Sequence, residues 1–106
     1  MTLSEVREIE GEFSLTFYCG ELPADAAIAA AGHEPNGYFW EGVAEFIGGD
    51  LVKQMELDSE GGMFCAVGEQ ADLTAMQSLL EPLLTNGNAV LDVIARAEAA
   101  SFIFDD

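Results

Sequence analysis

Basic side chains are nearly absent from this sequence of 106 residues. Arg7, Lys53 and Arg96 stand against 20 aspartates and glutamates, and the formal net charge at pH 7 is −17. A field of this sign repels the phosphate backbone of nucleic acids and attracts basic proteins. We therefore expect a basic protein partner and no nucleic-acid ligand.

Residues that carry catalysis or bind metals are also scarce. His33 is the single histidine, and its loop-forming surroundings favour an exposed loop residue over a general base. Cys19 and Cys65 have no CxxC or Cys/His spacing, and their apolar, strand-like segments favour buried free thiols over a disulfide or a reactive pair. The turn at Asp58 lacks the alternating carboxylates of a calcium loop. We predict no enzyme activity, no metal and no cofactor.

Long apolar runs are missing too. No segment approaches the ~20 apolar residues of a membrane span, and the N-terminus lacks the cationic and apolar parts of a secretory signal. We expect a cytoplasmic protein without a membrane segment. Hydrophobic residues nevertheless make up 50% of the chain, which is too many for a disordered acidic sequence. We expect one domain over residues 1–106 with a single core.

The spacing of apolar residues predicts the strands. Strict alternation over residues 12–19 is typical of a half-buried strand, whereas residues 6–10 alternate poorly and stay open as strand or turn. Residues 51–58 and 63–67 predict a hairpin, in which Gly61 and Gly62 can supply positive φ angles. The second of these segments is apolar on both faces and is expected to be central. Residues 101–104 are predicted to form a short edge strand.

Caps and apolar stripes predict four helices. The first two cover residues 23–31 and about 38–47, and Asn36 caps the second. Asp72 is expected to cap the third, which Pro82 kinks or ends, and Asn88 is expected to cap the last. In that last helix Val90, Val93, Ile94 and Ala97 share one face, and Asp92 and Arg96 lie one turn apart on the other.

The order of these elements is strand, helices, hairpin, helices. It predicts an α+β fold, in which a small, mainly antiparallel sheet, made of an early strand plus a central hairpin, packs against about four helices.

Two short segments are similar to a known family. Residues 37–44 (GYFWEGVA) and 57–64 (LDSEGGMF) resemble the bacterial polymorphic-toxin immunity proteins of family 51. The resemblance includes the order of the parts: an early strand, the GYxWE helix start, the DSE turn before MF, and two C-terminal helices. It implies a cytosolic, non-catalytic protein that binds a cognate toxin and blocks it. It does not identify the toxin, because such families are paired with several toxin classes.

The candidate partner contacts lie in and beside these two segments: Tyr38, Trp40, Glu41, Glu45, Glu56, Asp58 and Glu60. Tyrosine and tryptophan are enriched in binding hot spots, but aromatics at a helix start are also typical of core packing. The carboxylates are typical of a solvated face as well as of a surface that steers a basic partner.

Two other functions stay open at this point. An acidic mimic of nucleic acid that inhibits a DNA-binding protein carries the same charge. A salt-adapted domain of other function is also rich in aspartate and glutamate and poor in lysine. The sequence does not predict the oligomeric state.

Overall fold

The computed structural model describes residues 2–106, and over that range it contains a four-stranded antiparallel sheet and four α-helices. The strands are β1 (Glu5–Ile9), β2 (Glu12–Tyr18), β3 (Met55–Leu57) and β4 (Met63–Gly68), in the spatial order β1-β2-β4-β3. The helices are α1 (Asp25–Ala30), α2 (Gly37–Gly48), α3 (Gln70–Leu84) and α4 (Gly87–Ala99). The α+β class, with an antiparallel sheet and about four helices, is confirmed.

The segment that the sequence left open, residues 6–10, forms most of edge strand β1, which pairs with β2 along its whole length. The chain reverses between them at Glu10 and Gly11, whose φ angles are 54° and 82°. Glycine occupies this left-handed region without a steric penalty, so Gly11 permits the reversal. Strand β2 then pairs with β4, and the predicted central position of β4 is confirmed.

Inward side chains of the two central strands form the middle of the core. Leu15 and Phe17 of β2 and Phe64 of β4 are buried, and the rings of Phe17 and Phe64 stack with their centroids 4.8 Å apart. Trp40 of α2 meets Phe17 edge to face, with centroids 5.5 Å apart. Such aromatic pairs contribute about 0.5–1.5 kcal/mol beyond their area burial, so they fix α2 across the sheet.

Helix α4 buries the face that its spacing predicts: Val90, Val93, Ile94 and Ala97. The predicted ion pair is confirmed, since Arg96 Nε lies 3.0 Å from the Asp92 carboxylate. The cap is Asn86 rather than Asn88, because the Asn86 side chain accepts the N–H of Ala89 at 3.1 Å. The earlier start brings Gly87 so close to α1 that a Cβ there would lie 2.9 Å from Ala27.

Helix α3 begins two residues before Asp72, which therefore lies in the first turn and does not cap the helix. Pro82 does not end the helix, which continues to Leu84. Leu83 and Leu84 are buried, and the N–H of Ala24 donates to the Leu84 carbonyl at 3.1 Å. These contacts hold the last turn in place although Pro82 cannot donate a helical hydrogen bond.

Residues 51–54 were expected to begin a strand, but they belong to a 3-10 helix, Gly49–Gln54, and β3 keeps only three residues. Gly49, with a φ of 53°, turns the chain at the end of α2. The adjacent residues Leu51 and Val52 then both pack against the core, whereas neighbouring strand positions would point to opposite faces.

The hairpin between β3 and β4 is confirmed, but Gly61 and Gly62 do not have the positive φ angles expected of them. The reversal is closed by Glu60, whose N–H donates to the carbonyl of Met63 at 2.8 Å. The carbonyl of Gly61 instead accepts the N–H of Gly37 at 3.1 Å. The turn is therefore held partly by the start of α2.

Glu81 of α3 fastens the segment that precedes β1. Its carboxylate accepts the N–H of Leu3 at 2.9 Å, the N–H of Ser4 at 3.0 Å and the Ser4 hydroxyl. Ser4 is buried, and Gln77 Nε2 donates to the Ser4 carbonyl at 3.2 Å. Burial raises the pKa of Glu81, but the hydrogen bonds outweigh it and hold the pKa below its ordinary value.

We expect Glu81→Gln to lower the free energy of unfolding at pH 7 by about 1–2 kcal/mol, because a neutral amide accepts these hydrogen bonds more weakly. The folded-state pKa is depressed, so the contribution is complete well above the ordinary glutamate pKa of ~4.3 and is lost as the pH falls through the folded-state pKa. Urea unfolding from pH 7 to about pH 3.5 measures it, with the exposed Glu98→Gln as control. A wild-type advantage over Glu81→Gln that persists undiminished in acid would contradict this account.

Candidate protein-binding site

The start of α2 rests directly on the β3–β4 turn. Asn36 caps the helix as predicted, since its side chain accepts the N–H of Phe39 at 2.9 Å. Gly37 then lies so close to the turn that a Cβ at this position would be 2.1 Å from the Glu60 carbonyl oxygen and 2.6 Å from that of Met63. Only glycine fits this contact without moving the backbone of the hairpin.

A side chain completes the joint between the helix and the turn. The Glu41 carboxylate accepts the N–H of Ser59 at 2.9 Å, and the Ser59 hydroxyl accepts the N–H of Cys65 at 3.0 Å. We call this joint, residues 37–45 together with residues 58–62, the corner. The corner contains most of both segments that resemble the immunity family.

Three of the predicted contacts line one groove at the corner. Tyr38, Glu41 and Glu45 face the C-terminal tail across a groove of about 230 Å³, which the tail lines with Phe102, Ile103 and Asp105. Tyr38 is 44% exposed and Ile103 is 87% exposed. The groove is smaller than a typical small-molecule site of about 300–1,000 Å³, so its size suits a single side chain of a partner.

Trp40 is not a surface residue. We expected a partner contact, but its side chain is fully buried and packs edge to face against Phe17 and Phe39, at centroid distances of 5.5 Å. The reason is helical spacing, because Phe39, Trp40 and Val43 point together into the core while Tyr38 points outward. The aromatic start of α2 is therefore divided between core and surface.

Glu56, Asp58 and Glu60 are exposed and follow the edge of the sheet rather than the groove. Burial raises the pKa of the Cys65 thiol, and negative charges nearby raise it further, among them those of Asp58 and Glu60. The charge of Glu41, which lines the groove, raises the pKa of the same thiol. Glu41 accepts the N–H of Ser59, so the neighbouring Asp58 and Glu60 lie close to Glu41 and make the corner acidic.

Within residues 2–106, the basic side chains do not neutralise the corner. Arg7 lies 2.8 Å from Glu5, and Lys53 lies 3.1 Å from Asp50. Arg96 is paired on α4, as described above. All three pairs are exposed and join near neighbours in sequence, so each contributes little to stability and leaves the corner negative.

The tail that borders the groove differs from its prediction. Residues 102–106 form no strand; Phe104 is buried and stacks on Phe39 at 5.0 Å. His33 is not an exposed loop residue either, because its ring packs against Phe104 at 5.1 Å and its Nδ1 lies 3.0 Å from the Asp106 carboxylate. Asp106 also accepts the N–H of Glu34 at 2.6 Å. The spacing of apolar residues in the tail predicted a strand, but the buried Phe104 ring instead anchors the tail to α2.

The two cysteines are free, as predicted, but they are half-buried rather than buried. Burial raises the pKa of Cys19 to about 11, and the charge of Asp25 adds a small further rise. Thiols with raised pKa values are poor nucleophiles, since the reactive species is the thiolate.

Residues 2–106 contain no group of three or more histidine, cysteine, aspartate or glutamate side chains placed to hold a metal ion. Among the helices of this range, none combines the length and the hydropathy that crossing a membrane requires.

Comparison with protein-family models, with curated proteins and with solved structures gave no significant match.

Proposed function

We propose that this chain is an immunity protein, which binds a cognate bacterial toxin and blocks it without catalysis. The observation that carries the proposal is the corner, because the two segments that resemble immunity family 51 are separated in sequence but contact each other in the fold. Hydrogen bonds from Gly37 to Gly61 and from Ser59 to Glu41 join them. Two resembling segments that join at one acidic corner of the fold support a shared role in binding.

The charge of the surface supports a basic partner. Glu41, Glu45 and Asp105 border the groove, and the hairpin carboxylates continue the acidic surface beyond it. Such a field raises the association rate of a basic protein by roughly 10- to 1,000-fold at low salt. We infer that the toxin domain is basic and that the bound immunity protein covers the surface with which the toxin contacts its substrate.

Rescue of growth tests the proposal. Cells that produce the toxin domain encoded beside this chain's gene should die, and co-expression of the chain should keep them alive. The purified proteins should form a one-to-one complex. Continued killing, with both proteins soluble and abundant, would count against an immunity function.

Charge reversal at the corner tests the electrostatic part. We expect the Glu45→Lys, Glu60→Lys double variant to slow association with the toxin by about tenfold at low salt, because attraction between the approaching charges falls. The control, Glu69→Lys with Glu98→Lys, makes the same change of net charge outside the corner. Stopped-flow association at low and high NaCl measures both; equal slowing by the two variants would show that only the net charge matters.

The same purified chain separates the remaining alternatives. A nucleic-acid mimic would bind several unrelated DNA-binding proteins with similar affinity, whereas an immunity protein binds its own toxin far more tightly. A salt-adapted domain would unfold on dialysis into dilute buffer, which far-UV circular dichroism detects.

A further inference from the structure

One face of the sheet lies opposite the buried side chains that contact the helices. Cross-strand pairing places Thr16 opposite Cys65, and Tyr18 opposite Met63. On β4, Val67 likewise faces Glu56 of β3. All six side chains are exposed or half-buried, whereas their neighbours Leu15, Phe17, Phe64 and Ala66 point to the core. We call these six residues the open face.

One end of the open face is apolar, because Tyr18 and Met63 form the last pair of the β2–β4 ladder. Tyr18 is 76% exposed, and Met63, its direct partner, is half-buried beside it. A depression of about 340 Å³ lies next to these two side chains and is bordered by the Glu5–Arg7 ion pair. A large exposed aromatic beside a depression is the arrangement found at interface hot spots, where tyrosine is enriched.

The border of the open face is acidic. Glu56 belongs to this border. The carboxylates of Glu12, Asp58 and Glu60 lie near enough to Cys65, in the middle of the face, to raise the pKa of its thiol. Arg7 is a cation on this side, and it is already bound to Glu5. The face therefore combines an exposed apolar pair with carboxylates along it, and protein interfaces use both kinds of contact.

Size indicates that the corner alone does not hold a partner. The corner consists of residues 37–45 and 58–62, and several of these are buried, whereas a stable interface uses about 20–30 residues and ~800 Å² per partner. The two central strands, which are seven and six residues long and are flanked by β1 and the three-residue β3, present an additional face. Asp58 and Glu60 of the corner lie beside this face, because the Asp58 N–H donates to the Cys65 carbonyl and Glu60 pairs with Met63.

We propose that a basic protein surface docks on the open face, with Tyr18 as the apolar anchor at one end and the carboxylates along the face as the contacts of its lysines and arginines. The proposal rests on the proposed function in one respect, namely that this basic protein is the toxin. A second copy of the chain would bring two acidic rims together, and such like-charge contacts cost several kcal/mol.

Two variants of exposed side chains test the docking face with the toxin. We expect Tyr18→Ser to weaken toxin binding by roughly 30-fold or more, as for an interface hot spot. The control Leu91→Ser, on α4 and outside both the open face and the corner, should weaken it by no more than about threefold. Both side chains are exposed, so thermal unfolding should show both variants folded. If the toxin binds and Tyr18→Ser has no effect, the docking face is wrong while the immunity function stands.

A probe that needs no toxin tests the chemistry of the face. A lysine–tryptophan–lysine tripeptide amide, titrated against the ¹⁵N-labelled chain, should shift the amides of Thr16, Tyr18 and Cys65 first. The matched lysine–glycine–lysine peptide should shift them far less. Shifts of equal size for both peptides, or shifts spread over all acidic segments, would overturn the proposal whatever the outcome of the rescue experiment.

Discussion

Gly37→Ala should lower the free energy of unfolding by about 3 kcal/mol or more, the upper part of the range for overpacking. The added Cβ would lie 2.1 Å from the carbonyl oxygen of Glu60. This neighbour is backbone and cannot rotate away, so the hairpin turn must move and the hydrogen bond from Gly37 to Gly61 is lost. Alanine's better helix propensity, up to ~1 kcal/mol, acts in the opposite direction and is too small to compensate. Urea unfolding measures the loss.

Gly61→Ala is the matched control for this substitution. A Cβ on Gly61 meets no atom within 4 Å, and its φ is not in the left-handed region, so we expect a change within about 0.5 kcal/mol. Because Gly37→Ala moves the turn away from α2, toxin binding should weaken as well. A Gly37→Ala protein as stable as the wild type would show that the corner is more flexible than its contacts indicate.

Periodicity and one of the three predicted caps were sufficient for much of the fold. The alternation over residues 12–19, the cap at Asn36 and the buried face of α4 were all predicted, because each depends on residues close together in sequence. The 3-10 helix at Gly49–Gln54 and the continuation of α3 beyond Pro82 were not. Both depend on burial against distant segments, which local spacing does not record.

In the candidate site, too, features set by neighbouring residues were predicted, whereas contacts between distant segments were not. The sequence predicted the acidic helix and hairpin, but not that Glu41 binds the N–H of Ser59 and joins them. It placed Trp40 among the partner contacts, but Trp40 is buried and Tyr38 is exposed. The sequence does not show which of the two faces the core, because that depends on where the sheet packs against α2. Tyr18 was visible as the outward residue of a strand, but nothing local indicated that this side of the sheet stays open.

Phe104→Ala should be the second most damaging of these changes, lowering the free energy of unfolding by about 3 kcal/mol, the lower end for a buried phenylalanine. Its ring stacks on Phe39 and contacts His33, and it fills the space beside Gly42, where a Cβ would lie 2.7 Å from the Phe104 ring. Loss of the ring should release Asp106 from the N–H of Glu34. Chemical unfolding measures the first effect, and hydrogen exchange at the Glu34 amide measures the second.

Ile103→Ala is the matched control, because it truncates an exposed side chain of the tail and leaves the buried Phe104 ring in place. Ile103 is 87% exposed and lines the groove, so its truncation should leave stability within about 0.5 kcal/mol of the wild type. The Glu34 amide should keep its protection in Ile103→Ala and lose it in Phe104→Ala. Equal behaviour of the two variants would mean that the tail is held by Asp106 and the backbone rather than by the aromatic stack, and the groove would then persist without Phe104.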